Sequence, residues 1–145
     1  MKSAQKQIEA LKCGVIDLIS EEELCDKIEK SIKEKKPLRV KLGVDPTAPN
    51  IHLGHTVVLQ KLRQFQDLGH VGILIIGDYT AIVGDPSGTQ KTRPQLIESD
   101  IQLNARTYFE QVQKILIMKR TEIRYNSEWF KKMLFAEVIQ LASRM

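Results

Sequence analysis

The sequence predicts an α/β protein built on a partial, Rossmann-like, doubly wound parallel sheet. Three observations predict it. A strand pattern at residues 38–44 gives way to an amphipathic helix and then to the apolar run Val71-Gly72-Ile73-Leu74-Ile75-Ile76, which is strand, helix and strand in order. The shortness and β-branching of that run suit a strand buried on both faces better than a helix. A turn-forming loop follows the first strand and a loop rich in Gly, Asp and Pro the second, both at the end where open α/β sheets bind ligands. The outline is half of such a domain, preceded by a helical segment over residues 1–37, with the nucleotide-type fold running from 38 to 145.

The elements follow from local chemistry. Residues 4–12 read as a helix. Ser20 with Glu23 forms a capping-box pattern, and Leu24, Ile28 and Ile32 recur every four residues, so a second helix spans 21–34 until Pro37 stops it. The run Lys33-Glu34-Lys35-Lys36 is a solvated helix end. Leu38 to Val44 alternates apolar and basic residues, as a strand does. Asp45-Pro46 and Ala48-Pro49-Asn50 are turn chemistry. Val58, Leu62, Phe65 and Leu68 mark one face of a helix over 53–68, and Gly69 is its stop. After the second strand a loop runs from Gly77 to Pro94. Ile101, Ala105, Tyr108, Val112 and Ile115 then define a long helix, and Thr121 to Tyr125 a third strand. Asn126 or Ser127 is placed to cap a short helix carrying Trp129 and Phe130, and a last helix fills 135–143.

Composition bounds the function without naming it. With 145 residues, 42% hydrophobic and 28% charged, the chain is one globular domain and not a disordered segment. Its 22 basic and 18 acidic residues are interspersed, so a net charge of +4 is only a weak pointer to an anionic partner. Cys13 and Cys25 make neither a disulfide framework nor a metal pattern, and a reducing cytoplasm is the expected compartment. No apolar signal core opens the chain, and no stretch approaches the ~18 apolar residues of a membrane span.

The chemistry lies in the two loops. His52 and His55 stand three apart around Gly54, where the first strand gives way to a helix. Two imidazoles on one face of a first helical turn, with unpaired N–H groups and the helix dipole beside them, could hold a triphosphate and stabilise charge as its α-phosphate is attacked. Thr47 could add a hydroxyl. The same pair could instead be surface or capping groups, or half of a metal site with no evident third ligand. In the second loop, Asp85 could hold an ammonium group by a charge-assisted bond or simply make an Asp-Pro turn. Lys91 and Arg93 could reach a leaving pyrophosphate or remain solvated. A phosphate loop of the G-x-x-x-x-G-K-[ST] kind fails here, because Gln90 stands where it needs glycine.

These residues resemble a known family. From Lys41 to Arg93 the sequence is similar to the catalytic domain of bacterial tyrosyl-tRNA synthetases, which are class I enzymes, and the likeness extends through essentially the whole chain. His52-Leu53-Gly54-His55 looks like their HIGH signature, Gly84-Asp85-Pro86-Ser87-Gly88 like their second block, and Tyr125-Asn126-Ser127-Glu128-Trp129 like a stretch of one bacterial branch. The HIGH-like block alone marks a wide nucleotidyltransferase superfamily; Asp45-Pro46-Thr47-Ala48 with the Gly-Asp-Pro-Ser-Gly block narrows it. The resemblance implies that Thr47, His52 and His55 contact ATP phosphates and that Gly43 and Asp45 border the adenylate. It implies that Gly54 packs near adenine, Asp85 binds the tyrosine ammonium group and Arg93 grips pyrophosphate. It implies ATP with Mg2+, tyrosyl-adenylate and then tyrosyl-tRNA(Tyr) as products, a homodimer for the full-length enzyme, and no resident metal ligands.

Two positions depart from the family. Thr89 stands where a lysine usually follows the second block, with Lys91 nearby, and Lys41 replaces a tyrosine found in many members. The resemblance also implies that the second half of the fold, the KMSKS loop and an anticodon-binding domain lie beyond Met145, so that the chain alone is expected to bind ATP weakly and to charge little or no tRNA. It implies exposed apolar surface where the sheet lacks neighbours. Two other readings remain open: a non-catalytic nucleotide-binding or regulatory remnant, and a different adenylyltransferase using the same histidine pair.

Overall fold

A computed structural model describes residues 2–82 and 97–144. In chain order it contains α1 (Ala4–Lys12), α2 (Glu21–Glu34), β1 (Arg39–Val44), α3 (Leu53–Asp67) and β2 (Val71–Ile76). A 3₁₀ turn at Thr80–Ile82 follows, then α4 (Glu98–Val112), β3 (Thr121–Tyr125), α5 (Ser127–Phe130) and α6 (Phe135–Ala142). The strands form one parallel sheet in the order β1-β2-β3, with Leu42, Leu74 and Ile123 in register across it. Each expected element is present, and the expected α/β class holds.

Each strand is laid beside the one before it, on the same side. Right-handed crossovers put the helices of such a sheet on a single face. Accordingly α3 and α4 both pack over Val40, Leu42, Leu74, Ile76 and Ile123, where Leu59, Leu62, Ala105 and Val112 complete the core. The opposite face carries Arg39, Lys41, Gly43, Val71, Ile73, Ile75, Glu122 and Arg124. Among the described residues no buried cluster forms there, and an Arg39–Glu122 ion pair lies across it. This corrects the expectation for β2: its residues alternate between half-buried and buried, so it is fully buried on one face only. The bare face is topological, because both crossovers run the same way and lay α3 and α4 on the other face.

Three local expectations also change. Ser20 Oγ accepts the Glu23 N–H at 3.1 Å, but the Glu23 carboxylate pairs with Lys27 and does not complete the box. On α3 the residues facing the sheet are Leu59, Leu62 and Gln66, while Val58 is exposed, because Phe65 and Leu68 turn aside to meet α1 and α2. Asn126 caps nothing with its side chain, which is taken by the loop after β2. Gly69 does end α3, with φ at +103°.

Polar side chains fasten the helical segment to the sheet. Lys61 Nζ on α3 donates to the carbonyls of Leu11 (2.9 Å) and Cys13 (2.7 Å), the unpaired C-terminal groups of α1. His70 is wholly buried between α1 and the start of β1. Its Nδ1 accepts the Leu38 N–H at 3.1 Å, so its proton sits on Nε2, which donates to Gln7 Oε1 at 2.9 Å. The site has room for the neutral ring only, and burial pushes the His70 pKa below 6.5.

The sign of the linkage follows. The unfolded chain takes up a proton on this ring near the ordinary histidine value and the folded chain does not, so stability is full above that value and falls as pH drops below it. In urea titrations, wild type is expected to lose stability between about pH 7.5 and 5.5. His70→Gln should be weaker at the upper pH yet lose less across the interval; equal losses would mean that His70 is not the group involved.

Candidate active site

The loop from Asp45 to Ile51 leaves β1 at its C-terminal end and delivers the chain to α3. Pro46 and Pro49 have no N–H, so this loop cannot build a ladder of its own. Its backbone is satisfied from α4. Asn104 Nδ2 donates to Pro46 O at 3.0 Å, and Thr107 Oγ1 and Gln111 Nε2 donate to Pro49 O at 2.6 and 3.0 Å. Gln111 Oε1 accepts the Ile51 N–H at 3.1 Å. Residues 104, 107 and 111 share one helix face. They hold the loop against α4 and set where α3 begins.

α3 begins on the two histidines. His52 is its N-cap; His52 Nδ1 accepts the Gly54 N–H at 3.1 Å, and His55 Nδ1 accepts the His52 N–H at 3.2 Å. Each ring therefore uses Nδ1 as an acceptor, which puts the proton of the neutral ring on Nε2 in both. The rings lie 4.0 Å apart, with Tyr108 edge-on to His55 at 5.9 Å. Burial, and then the neighbouring His52, lower the His55 pKa and favour the uncharged donor form. A Cβ on Gly54 would stand 2.9 Å from His52 Cε1, so only glycine leaves this ring in place. The result is a pair of Nε2–H donors at a helix N-terminus, an arrangement suited to an anion.

The ends of the other strands converge on the same region. Asp45, the first residue past β1, accepts the Thr80 hydroxyl at 2.8 Å. Asn126, the first past β3, donates to Thr80 Oγ1 at 2.9 Å and accepts the Tyr79 N–H at 2.8 Å. Ser127 donates twice to Asp78, from N–H at 3.0 Å and from Oγ at 2.6 Å. Tyr108 is buried within this group; burial first, and the Asp45 charge second, raise its pKa. A cavity of about 370 Å³, lined by Asp78, Arg106, Phe109 and Tyr125 among others, opens beside it.

The residues expected from sequence fall as follows. Asp45, Thr47, His52, Gly54 and His55 lie on one continuous segment at the strand end, with Thr47 half-buried in the turn. Gly43 is exposed on the uncovered sheet face. Asp85, Arg93, Thr89 and Lys91 lie outside the described residues. Sequence reasoning passed over Thr80 and read Tyr108 and Asn126 as a core marker and a cap. The rule that strand ends carry the site would have singled out Asn126, since it directly follows β3.

Fold and site together define a parallel α/β sheet with a histidine-capped helix N-terminus at the end where such sheets bind ligands. Residues 33–145 match the family described as tRNA synthetases class I (W and Y), and the chain belongs to that family. It is 58% identical to the tyrosine–tRNA ligase of Carboxydothermus hydrogenoformans over 140 residues, 97% of this chain and 34% of that one. The tyrosine–tRNA ligase of Thermotoga maritima is 59% identical over the same shares of the two chains. This chain thus spans about a third of the length of these curated relatives, at 34% of each. Among solved structures, the tyrosyl-tRNA synthetase of Archaeoglobus fulgidus in complex with L-tyrosine has a TM-score of 0.75. That match covers 98% of this chain and 40% of the other at 21% identity, a likeness of fold.

Two measurements check the geometry. Imidazole nitrogen spectra at neutral pH should place the proton of both His52 and His55 on Nε2; an Nδ1 proton on either ring would contradict the capping bonds. Gln111→Leu should cost about 1 kcal/mol in urea unfolding, because it leaves the part-buried Ile51 N–H without its partner, while Thr107 still serves the Pro49 carbonyl.

Proposed function

We propose that this chain carries the first half of the catalytic domain of a tyrosine–tRNA ligase over residues 38–145, with residues 1–37 as its helical lead-in. The whole enzyme activates tyrosine with ATP and transfers it to tRNA(Tyr). The observation that carries the reading is the His52–His55 pair at the start of α3, each ring engaged through Nδ1 so that Nε2 remains to donate. High identity to the two ligases supports the choice of amino acid.

In this reading ATP lies with its phosphates over the first turn of α3. The tyrosine carboxylate oxygen forms a bond to the α-phosphorus, and the bond from that phosphorus to the bridging oxygen breaks, releasing pyrophosphate. Negative charge grows on the phosphate oxygens as this happens. The Nε2–H groups of His52 and His55, the Thr47 hydroxyl and the helix dipole are aimed at that charge, so they stabilise the transition state more than the ground state. No covalent enzyme intermediate is needed. Gly43 and Asp45 border the adenylate and Gly54 leaves room for adenine. Asp85 binds the tyrosine ammonium group and Arg93 the pyrophosphate.

Magnesium enters as the counter-ion of ATP. Among the described residues no three His, Cys, Asp or Glu side chains converge as a ligand set for it. The assembly is proposed to be a homodimer of the whole enzyme in the cytoplasm. Leu134, Phe135, Ile139 and Leu141, exposed along α6, suit an apolar contact. No helix among the described residues is long and apolar enough to cross a membrane. Thr89, standing where the family usually has lysine, favours a second reading: a chain that binds nucleotide without catalysis.

Tyrosine-dependent ATP–pyrophosphate exchange by the purified chain, with calorimetric titration of ATP alongside, tests the reading. Binding is expected to be weak and to vanish in the His52→Ala, His55→Ala double variant. Exchange that also vanishes in the variant assigns activation to these histidines; binding without exchange favours the non-catalytic reading. A folded chain whose ATP affinity is indifferent to both histidines would sink the nucleotide site.

A further inference from the structure

The ends of the three strands are joined by a directional hydrogen-bond relay. Asn126 is 6% exposed. Its backbone N–H donates to Ile76 O at 2.9 Å and its Oδ1 accepts the Tyr79 N–H at 2.8 Å. These bonds fix the amide plane and decide which end is nitrogen. Nδ2 then meets Thr80 Oγ1 at 2.9 Å and donates to it. The Thr80 hydroxyl has a single hydrogen, with Asp45 Oδ1 at 2.8 Å and Gly77 O at 3.3 Å as candidate acceptors. The nearer, charged oxygen is the stronger acceptor, so the hydrogen goes to Asp45. The carboxylate rests on bare backbone: a Cβ at Gly77 would overlap Asp45 Oδ1 and stand 2.6 Å from Thr80 Oγ1.

We infer that Thr80 and Asn126 are positioning residues of the nucleotide site, which hold the Asp45 carboxylate in one orientation at the border of the adenylate. The inference rests on the reading of Asp45 in the proposed function. Asn126 orients the Thr80 hydroxyl, and Thr80 orients Asp45. Because each residue stands just beyond a different strand or in the loop between strands, the relay couples the sheet register to the placement of one charge.

Three variants separate this role from simple loop anchoring. Thr80→Val removes the hydroxyl at nearly constant shape, and Thr80→Ser keeps it. Asn126→Asp keeps an acceptor for the Tyr79 N–H but loses the donor, and its added carboxylate competes with Asp45 for the Thr80 hydrogen. Calorimetric titration of the 145-residue chain with a non-hydrolysable tyrosyl-adenylate mimic and with ATP is run beside thermal unfolding. Thr80→Val and Asn126→Asp are expected to weaken mimic binding about tenfold, the scale of one charge-assisted hydrogen bond. Thr80→Ser should stay within about twofold of wild type, and the Thr80 variants should melt close to it. Unchanged affinity in Thr80→Val and Asn126→Asp, where wild type binds, overturns the positioning role and leaves the nucleotide site standing. A loss that Thr80→Ser shares, or that tracks melting temperature across all three, overturns it equally. A wild-type chain that binds neither ligand overturns the nucleotide reading and this inference with it.

Discussion

The ligand end of this sheet depends on how the backbone of residues 46–51 is satisfied. A loop broken by two prolines cannot build a ladder of its own, and its buried Pro46 carbonyl would cost about 1–3 kcal/mol if left unpaired. Asn104, Thr107 and Gln111 supply the partners from a helix some sixty residues further along the chain. The adjoining stripe of that helix, Ile101, Ala105, Tyr108 and Val112, is buried. Packing therefore fixes the helix, the helix fixes the loop, and the loop fixes the residue at which α3 starts. The histidines stand where they do because of contacts neither of them makes.

The two imidazoles divide their atoms between the structure and the proposed chemistry. Nδ1 of each ring terminates the helix start, and Nε2 remains as a donor. Capping alone would be met as well by Ser or Asp, the common N-cap residues. Neither would present a neutral N–H donor toward an approaching anion, and a carboxylate would repel one. Glycine between them completes the device, since any side chain there pushes on the His52 ring. On the far side Tyr108 joins His55 to the neighbourhood of Asp45, so the two halves of the signature segment share one buried wall.

Much of this was legible before any coordinates. The three strands and the helices between them follow from periodicity, from Ser20 as a start and from Pro37 and Gly69 as stops, and the His52–Gly54–His55 segment stands where the strand-end rule places a site. What could not be read is instructive in kind. Val58 lies in phase with Leu62 and Phe65, yet α3 divides its apolar residues between the sheet and the N-terminal helices, a division set by tertiary packing. Asn126 has the identity of a cap, but its side chain instead bonds the N–H of Tyr79 and the hydroxyl of Thr80, which the loop after β2 brings to it. The one-sided burial of β2 depends on which way the chain winds, and no window of its own six residues encodes that. Thr80 carries no local signal at all; its importance arises from two residues distant in sequence.

The order β1-β2-β3 has a kinetic corollary. Every pairing in the sheet is between a strand and its immediate successor, closed by a single crossover, so no strand must wait for a distant segment before it can dock. Each parallel pairing still closes a long crossover, Arg39 with Val71 and Gly72 with Thr121, so the entropy of closure must be met before the strands bond and assembly is slow for that reason. A nascent chain leaving the ribosome from its N-terminus can add strands in the order they emerge, each laid on a template already formed. The charged rows that border Val71, Ile73 and Ile75 on the bare face then act as gatekeepers, keeping that template soluble while it is uncovered.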